Sequence, residues 1–312
     1  MSWDLAVEKS KQFVPYVEKY NPEFLEEIQA MGEGSDQKQD TIFFLNVVYE
    51  YFSRRVPGVW SSCTSISVMP HMTKDGVTLA GQNDDWNEAF QKTSIVLRVK
   101  RKSKPDILQF CDAGTLGGNG VNSAGIALCA NSLLSGGWSF DGVPHYFLKR
   151  GVLDSEFYAD AISAITAADR CNSHNFLLTH VDGLGVDIEA TPGDMNLIYP
   201  DDGFIAHANH FVVQNPQIQD LKVARSPDSI IRQMRAEQQI RTELGEISID
   251  TMKRIFVDHI GKPGSICRHP DDRLPSLSQM QTNASYIFDM TNRRFLIAQG
   301  PPCISEYEVL HF

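Results

Sequence analysis

The spacing of apolar residues changes character at Cys63, and that change limits the folds open to this chain. Before it the sequence reads as helix. Phe24, Leu25, Ile28 and Met31 share one helical face, with Asn21 as N-cap, Pro22 at the first helical position and Gly32/Gly34 at the exit. A second helix is predicted from about 40 to 54, where Ile42, Phe43, Phe44, Leu45, Val47, Val48, Tyr51 and Phe52 call for broad burial; Pro57-Gly58 then breaks the pattern. From Cys63 onward the period is that of strands: 64–69, 77–82, 94–100, 107–112 and 124–130 are short β-branched or aromatic runs split by turn residues.

A helical block follows, clearest over 156–169, where Phe157, Ala161, Ile162, Ile165 and Ala168 form a stripe. Strands return at 176–181, 186–190, 197–199 and 204–207, helices at 227–244 and 248–260, and strands again at 286–290 and 294–298. Blocks of antiparallel strands separated by paired helices imply an α+β fold of two stacked sheets with helices outside, not the βα alternation of a doubly wound sheet. With no repeat, low-complexity tract or long linker, 1–312 reads as a single domain.

Charge excludes one class of partner. Lys and Arg number 28 against 39 Asp and Glu, a net charge of −11, so nucleic acid is not expected as a ligand. The densest basic run, Lys100-Arg101-Lys102-Ser103-Lys104, stops at Pro105 and reads as a solvated turn. No apolar run reaches the roughly 18–20 residues of a membrane span, so no membrane partner is expected. The first residues lack the pattern of a signal peptide and the last carry no peroxisomal tripeptide; a cytoplasmic location is the expectation.

The six cysteines, Cys63, Cys111, Cys129, Cys171, Cys267 and Cys303, contain no Cys-x-x-Cys pair, which rules out a zinc ribbon or thioredoxin-type motif; the thiols are expected to be reduced. Cys111, Cys129 and Cys171 sit in apolar or mixed segments and read as core residues. Cys63 differs: it follows the polar break Trp60-Ser61-Ser62 and opens a strand. Other motifs are weak singly. Gly117-Gly118-Asn119-Gly120 lacks a phosphate-loop frame and reads as a tight turn. Gln82-Asn83-Asp84-Asp85 reads as a turn, or alternatively as a polar cluster at a strand end. His207 and His210, with Asp201 and Asp202 nearby, offer metal ligands, but their i, i+3 spacing in a strand puts the two on opposite faces.

Taken in order, these pieces carry more. Pro22-Glu23-Phe24-Leu25-Glu26-Glu27-Ile28 with Gly32-Glu33-Gly34, then Cys63-Thr64-Ser65, Gly81-Gln82-Asn83-x-Asp85, Gly120-Val121-Asn122-Ser123-Ala124-Gly125-Ile126-Ala127, His207-x-Asn209-His210, Ser265-Ile266-Cys267-Arg268 and Gly300-Pro301-Pro302-Cys303 together resemble the isopenicillin N acyltransferase family of N-terminal-nucleophile hydrolases. The resemblance implies a four-layer αββα sandwich of two mainly antiparallel sheets, and self-cleavage between Ser62 and Cys63 into a helical pro-segment, 1–62, and a catalytic chain, 63–312. The two pieces are expected to stay associated. In the family the residue before the nucleophile is commonly Gly; here it is Ser62.

The chemistry this implies is coherent. The new α-amine, with an ordinary pKa of about 7.7–8.0, is partly neutral near pH 7 and serves as base for its own thiol. By the same resemblance Asp85 orients the amine, Arg268 pairs with it, and Asn209 donates its side-chain amide to the oxyanion together with the backbone N–H of Asn131. Bile-salt hydrolases and penicillin V acylases, more distant relatives, use a similar set. The reaction implied is transfer of an acyl group from an amide or acyl-coenzyme A thioester to an amine or to water. The partners are thus a small-molecule acyl donor and its acceptor, with acyl-coenzyme A as a possible substrate and no cofactor or metal expected. Two other readings stay open: a metal-dependent hydrolase using His207 and His210, and a catalytically silent binding member of the family.

Overall fold

The computed structural model describes residues 2–55, 62–136 and 139–312. The Pro57-Gly58 break and Trp60-Ser61 lie outside the described residues. Among the described residues the chain opens with α1 (Trp3–Ser10), α2 (Val14–Tyr20), α3 (Glu23–Ser35), α4 (Gln39–Leu45) and α5 (Val48–Arg55). There follow β1 (Ser62–Val68), β2 (Leu79–Trp86), β3 (Ser94–Val99), β4 (Ile107–Asp112), β5 (Asn119–Asn122) and β6 (Ile126–Ser132). Next come α6 (His145–Asp154), α7 (Tyr158–Thr166), β7 (His174–His180), β8 (Leu184–Ala190), β9 (Met195–Ile198) and β10 (Phe204–His207). The last block is α8 (Asp228–Arg241), α9 (Ile249–Phe256), β11 (Gln281–Asp289), β12 (Arg294–Gln299) and β13 (Glu308–His311).

The strands form two antiparallel sheets, ordered β10-β1-β2-β11-β12-β13 and β3-β4-β5-β6-β7-β8-β9. Alternate residues of each strand face opposite ways, so each sheet contributes to two cores. Ala80, Tyr286 and Phe288 of the first sheet meet Leu108, Cys129 and Leu177 of the second between the layers. Outside the first sheet, Ile66, Leu79 and Ile287 pack on Ala236, Ile240 and Phe256 of α8 and α9. Outside the second, Leu128, Phe176 and Ile188 pack on the N-terminal helices and α6 through Phe13, Phe24, Phe43 and Phe147. The result is the four-layer αββα sandwich.

Several elements depart from the sequence reading for local reasons. The helix expected over 40–54 is two helices. Asn46 is buried between them and spends its side chain on Ile42 O (2.9 Å), Gly114 O (2.9 Å) and the Leu116 N–H (2.7 Å), so a side chain tied to another segment ends α4. Helix α3 passes through Gly32 and Gly34 and stops at Asp36, which is left-handed (φ 55°). Asn21 does cap it, accepting the Glu23 N–H at 3.1 Å. Phe157, expected in the stripe of α7, lies before that helix and is exposed. The expected turn at Gly117–Gly120 runs into β5, where a Cβ on Gly120 would lie 2.4 Å from Leu108 O; glycine is needed for the close strand approach. Helix α6 and strand β13 have no counterpart in the sequence reading.

Gln82-Asn83-Asp84-Asp85 is not a turn. The four residues continue β2, because their polar side chains have partners inside the protein. Gln82 donates to Ala130 O (3.2 Å), while Asn83 donates to Phe256 O and Ile266 O (2.9 Å each), so a polar run is buried without loss of these hydrogen bonds.

Candidate active site

Strand register decides what surrounds Cys63. In the β1–β2 ladder Cys63 stands opposite Asp84, and Ser62 opposite Asp85. Directly opposed residues share a sheet face. Asp84 is therefore on the face of the Cys63 thiol, with Sγ 3.9 Å from its Oδ1. Asp85 is on the other face, where Oδ1 accepts from Thr282 Oγ1 at 2.7 Å and Oδ2 lies 3.6 Å from Arg268 Nε. At that separation Asp85 and Arg268 attract as charges without a hydrogen bond. Arg268 makes its closer ion pair with Asp228.

The Cys63 backbone turns toward β10. Its N–H donates to Asn209 Oδ1 at 2.6 Å, and its C=O accepts from Arg232. Arg232 also donates to Asn209 Oδ1 (2.9 Å), Thr64 Oγ1 (3.0 Å) and Ser62 Oγ (3.3 Å), and pairs with Asp228 through Nε at 3.3 Å. Two donors at one end of the Asn209 amide fix its orientation. Its NH2 consequently faces Ser132, donating to the carbonyl at 3.0 Å and toward Oγ at 3.3 Å. Thus in the continuous chain the Cys63 nitrogen is held by Asn209, while Asp85 sits behind Ser62. The Asn131 side chain bridges the sheets, donating to Ser65 Oγ, His207 O and Ala208 O at 2.8–3.0 Å.

Electrostatics follow from burial. Cys63 is 3 % exposed, and burial first, then the charges of Asp84 and Asp85, push its thiol pKa up despite the Asp85 N–H and Arg232. The thiol is protonated at neutral pH and needs a base. Burial raises Asp84 to about 6, opposed chiefly by Lys149, and raises Asp85 to about 7, opposed by Arg268 and Arg232. Asp228 goes the other way: burial is outweighed by Arg232 and Arg268, and it falls to about 2. Lys222, fully buried near Arg232 and Asp228, is lowered to about 7, by burial first and then by Arg232.

A cavity lies on either side of the Ser62–Cys63 strand segment. One, of about 360 Å³, is lined by Cys63 and Asp84 with Trp86, Phe90, Phe110 and Tyr146. Its size and aromatic walls suit an apolar group held against the thiol. The other, about 870 Å³, lies on the opposite side of the strand and is lined by Ser62, Arg225, Asp228 and Arg268.

Of the sequence-predicted residues, Cys63, Ser62 and Asn209 are in direct contact or adjacent, and Asp85 and Arg268 form a second group behind them. Asp84, Arg232 and Lys222 were missed. The alternative metal reading fails on geometry. Both ring nitrogens of His207 face acceptors, Nε2 to Glu189 Oε1 at 3.0 Å and Nδ1 to Ala208 O at 2.9 Å, leaving no lone pair for a metal. His210 bonds Ser229 Oγ at 2.8 Å, and Asp202 pairs with Arg241.

Residues 71–302 match the acyl-coenzyme A:6-aminopenicillanic acid acyl-transferase family, most of the chain, beginning just after Cys63. The chain belongs to that family. It is 26% identical over 283 residues to the 40 kDa form of acyl-coenzyme A:6-aminopenicillanic-acid-acyltransferase from Emericella nidulans, covering 90% of this chain and 76% of that protein. Its fold is similar to the N-acylethanolamine-hydrolyzing acid amidase ortholog of Caenorhabditis elegans: TM-score 0.55, 16% identity, 73% of this chain and 93% of that one. It is also similar to a single-residue variant of conjugated bile acid hydrolase from Clostridium perfringens: TM-score 0.56, 13% identity, 80% and 92% of the two chains. The chain is therefore an enzyme of an acyl-transferase family, built on the fold of the N-terminal-nucleophile hydrolases. Among the described residues no helix is long and apolar enough to cross a membrane.

Proposed function

We propose that this enzyme uses Cys63 as its nucleophile, first on its own Ser62–Cys63 bond and then on acyl donors. The observation that carries the reading is the placement of one residue between two sites: the Cys63 thiol faces an apolar cleft beside Asp84, while its nitrogen is held by Asn209.

In maturation, Cys63 Sγ adds to the Ser62 carbonyl carbon, and Asp84 in its charged form takes the thiol proton. The C–N bond breaks, and the departing nitrogen gains a proton to become the Cys63 amine. Water then opens the Ser62 thioester, releasing a carboxylate at Ser62 and a free thiol. In turnover the α-amine, hydrogen-bonded to Asn209 Oδ1, accepts the thiol proton as Sγ attacks the donor carbonyl, and passes it to the leaving amine or thiol. The acceptor, amine or water, attacks the thioester, loses its proton to the α-amine and restores the thiol. The loosely held second N–H of Asn209 is the side-chain donor to the oxyanion, with the Asn131 backbone N–H as its partner. Asp85 and Arg268 hold the charge balance behind the amine. The 360 Å³ cleft takes the acyl group.

The test is acyl capture. Enzyme is offered acyl-coenzyme A donors and N-acyl amino acids, quenched early and weighed, with released acid and transferred amide measured separately. An acyl adduct on the fragment beginning at Cys63 is expected with at least one donor class. Turnover without any adduct, unimpaired in Cys63→Ala, overturns the assignment.

A further inference from the structure

Four side chains that the reaction leaves unused converge behind Arg268. His259 follows α9, Cys267 and His269 flank Arg268 in the connection to β11, and Cys303 follows β12. One ligand atom from each of the four lies within 4.8 Å of the others. His269 Nε2 is 3.0 Å from His259 Nε2, 3.7 Å from Cys267 Sγ and 3.5 Å from Cys303 Sγ. Around zinc, with Zn–N of about 2.0–2.1 Å and Zn–S of about 2.3 Å, tetrahedral ligand atoms stand about 3.3–3.8 Å apart. Both nitrogen–sulfur separations fall in that range, and the two imidazoles stand slightly closer than it.

We infer that His259, Cys267, His269 and Cys303 form a structural zinc site of the Cys2His2 type. The donor set suits the metal: two thiolates neutralise Zn²⁺, two neutral imidazoles complete four-coordination, and no position is left for substrate. Binding converts two thiols to thiolates and releases their two protons to solvent. The surroundings suit an ion: Cys303 is exposed while Cys267 is buried, giving a path in and a dry inner wall.

The consequence is mechanical. The loop 259–269 and the segment after β12 have no other metal-type cluster tying them among the described residues. A zinc ion would pin both neighbours of Arg268, whose N–H already donates to Thr282 Oγ1 at 2.9 Å and whose guanidinium serves Asp228 and Asp85. The ligands come from three separate segments without Cys-x-x-Cys spacing, and the proposed site departs from the sequence expectation of no metal.

The experiment is metal analysis of full-length protein produced with added zinc, together with cobalt exchange. About one zinc per chain is expected in wild type, in Cys63→Ala and in Cys111→Ala, falling below about a tenth in Cys303→Ser and in His259→Ala. The cobalt form of wild type should show a thiolate-to-cobalt charge-transfer band that Cys303→Ser loses. Retention in Cys63→Ala separates this site from the catalytic assignment, and circular dichroism checks that each variant is folded. Folded wild type that holds no zinc or cobalt, with Cys267 and Cys303 both open to alkylation or joined as a disulfide, overturns the proposal. So does metal binding that neither substitution reduces.

Discussion

Which of two adjacent aspartates faces the Cys63 thiol is decided by one position of strand register. Asp84 shares the face of Cys63, and burial raises its pKa to about 6, so its charged, proton-accepting form declines as pH falls through that value. Self-cleavage of newly made chain is therefore expected to slow as pH drops through about 6, and Asp84→Asn to slow it by about 10²–10⁴-fold, the usual range for a lost general base. Cell-free synthesis with timed quenching reads both; cleavage of Asp84→Asn at the wild-type rate contradicts the role. Asn209→Ala removes the partner of the Cys63 nitrogen and the proposed oxyanion donor together, and kcat should fall by about 10²–10³ in a steady-state assay. The sequence order of motifs pointed to Cys63, Asp85, Asn209 and Arg268. It could not point to Asp84, because Gln82-Asn83-Asp84-Asp85 is polar throughout and alternation cannot be read where every residue is polar.

At the scale of elements, α8 hides its function by reversing the usual pattern. Ser229, Arg232, Gln233, Ala236 and Ile240 face inward, while Ile230, Ile231 and Met234 are exposed. A reading by apolar stripe turns this helix the wrong way, and Arg232 is lost with it. The inward stripe matches a sheet end whose own groups are polar: Cys63 O, Thr64 Oγ1 and Asn209 Oδ1 all take hydrogen bonds from Arg232. Replacing it with Met removes these bonds and one partner of Asp228, and should cost about 3–5 kcal/mol in urea unfolding, as for other broken buried ion pairs; a loss under about 1 kcal/mol would show the network to be dispensable. The β10–β8 contact carries a pH signature. Burial lowers the His207 pKa, but Asp187 and Glu189 outweigh it and the net value lies above the ordinary 6.5. The folded state thus binds the proton more tightly than the unfolded one. Its stabilisation is complete below about 6.5 and is lost as pH rises through the folded value. The stability gap between wild type and His207→Gln should accordingly shrink with rising pH; a gap that widens contradicts the assignment.

For the whole molecule, the proposed division after Ser62 is chemical, and the core ignores it. Phe13, Phe24, Phe43 and Phe44 from before the junction pack in one cluster with Phe147, Leu128 and Phe176 from after it. Each buried Phe is worth roughly 1.5–3 kcal/mol, so the cut pieces should migrate together in native size exclusion and part only in denaturant. The layered architecture was legible in the sequence, since blocks of strand period separated by helix period admit few arrangements. The pairing of β1 with β10 and β2, which builds the site, was not, because residues 63, 84, 209 and 232 meet only through long-range register. The proposed self-cleavage rests on Cys63, and intact mass after expression reads it. Wild type is expected to yield two polypeptides, residues 1–62 and 63–312, and Cys63→Ala one uncut chain. Both proteins remaining full-length would contradict it.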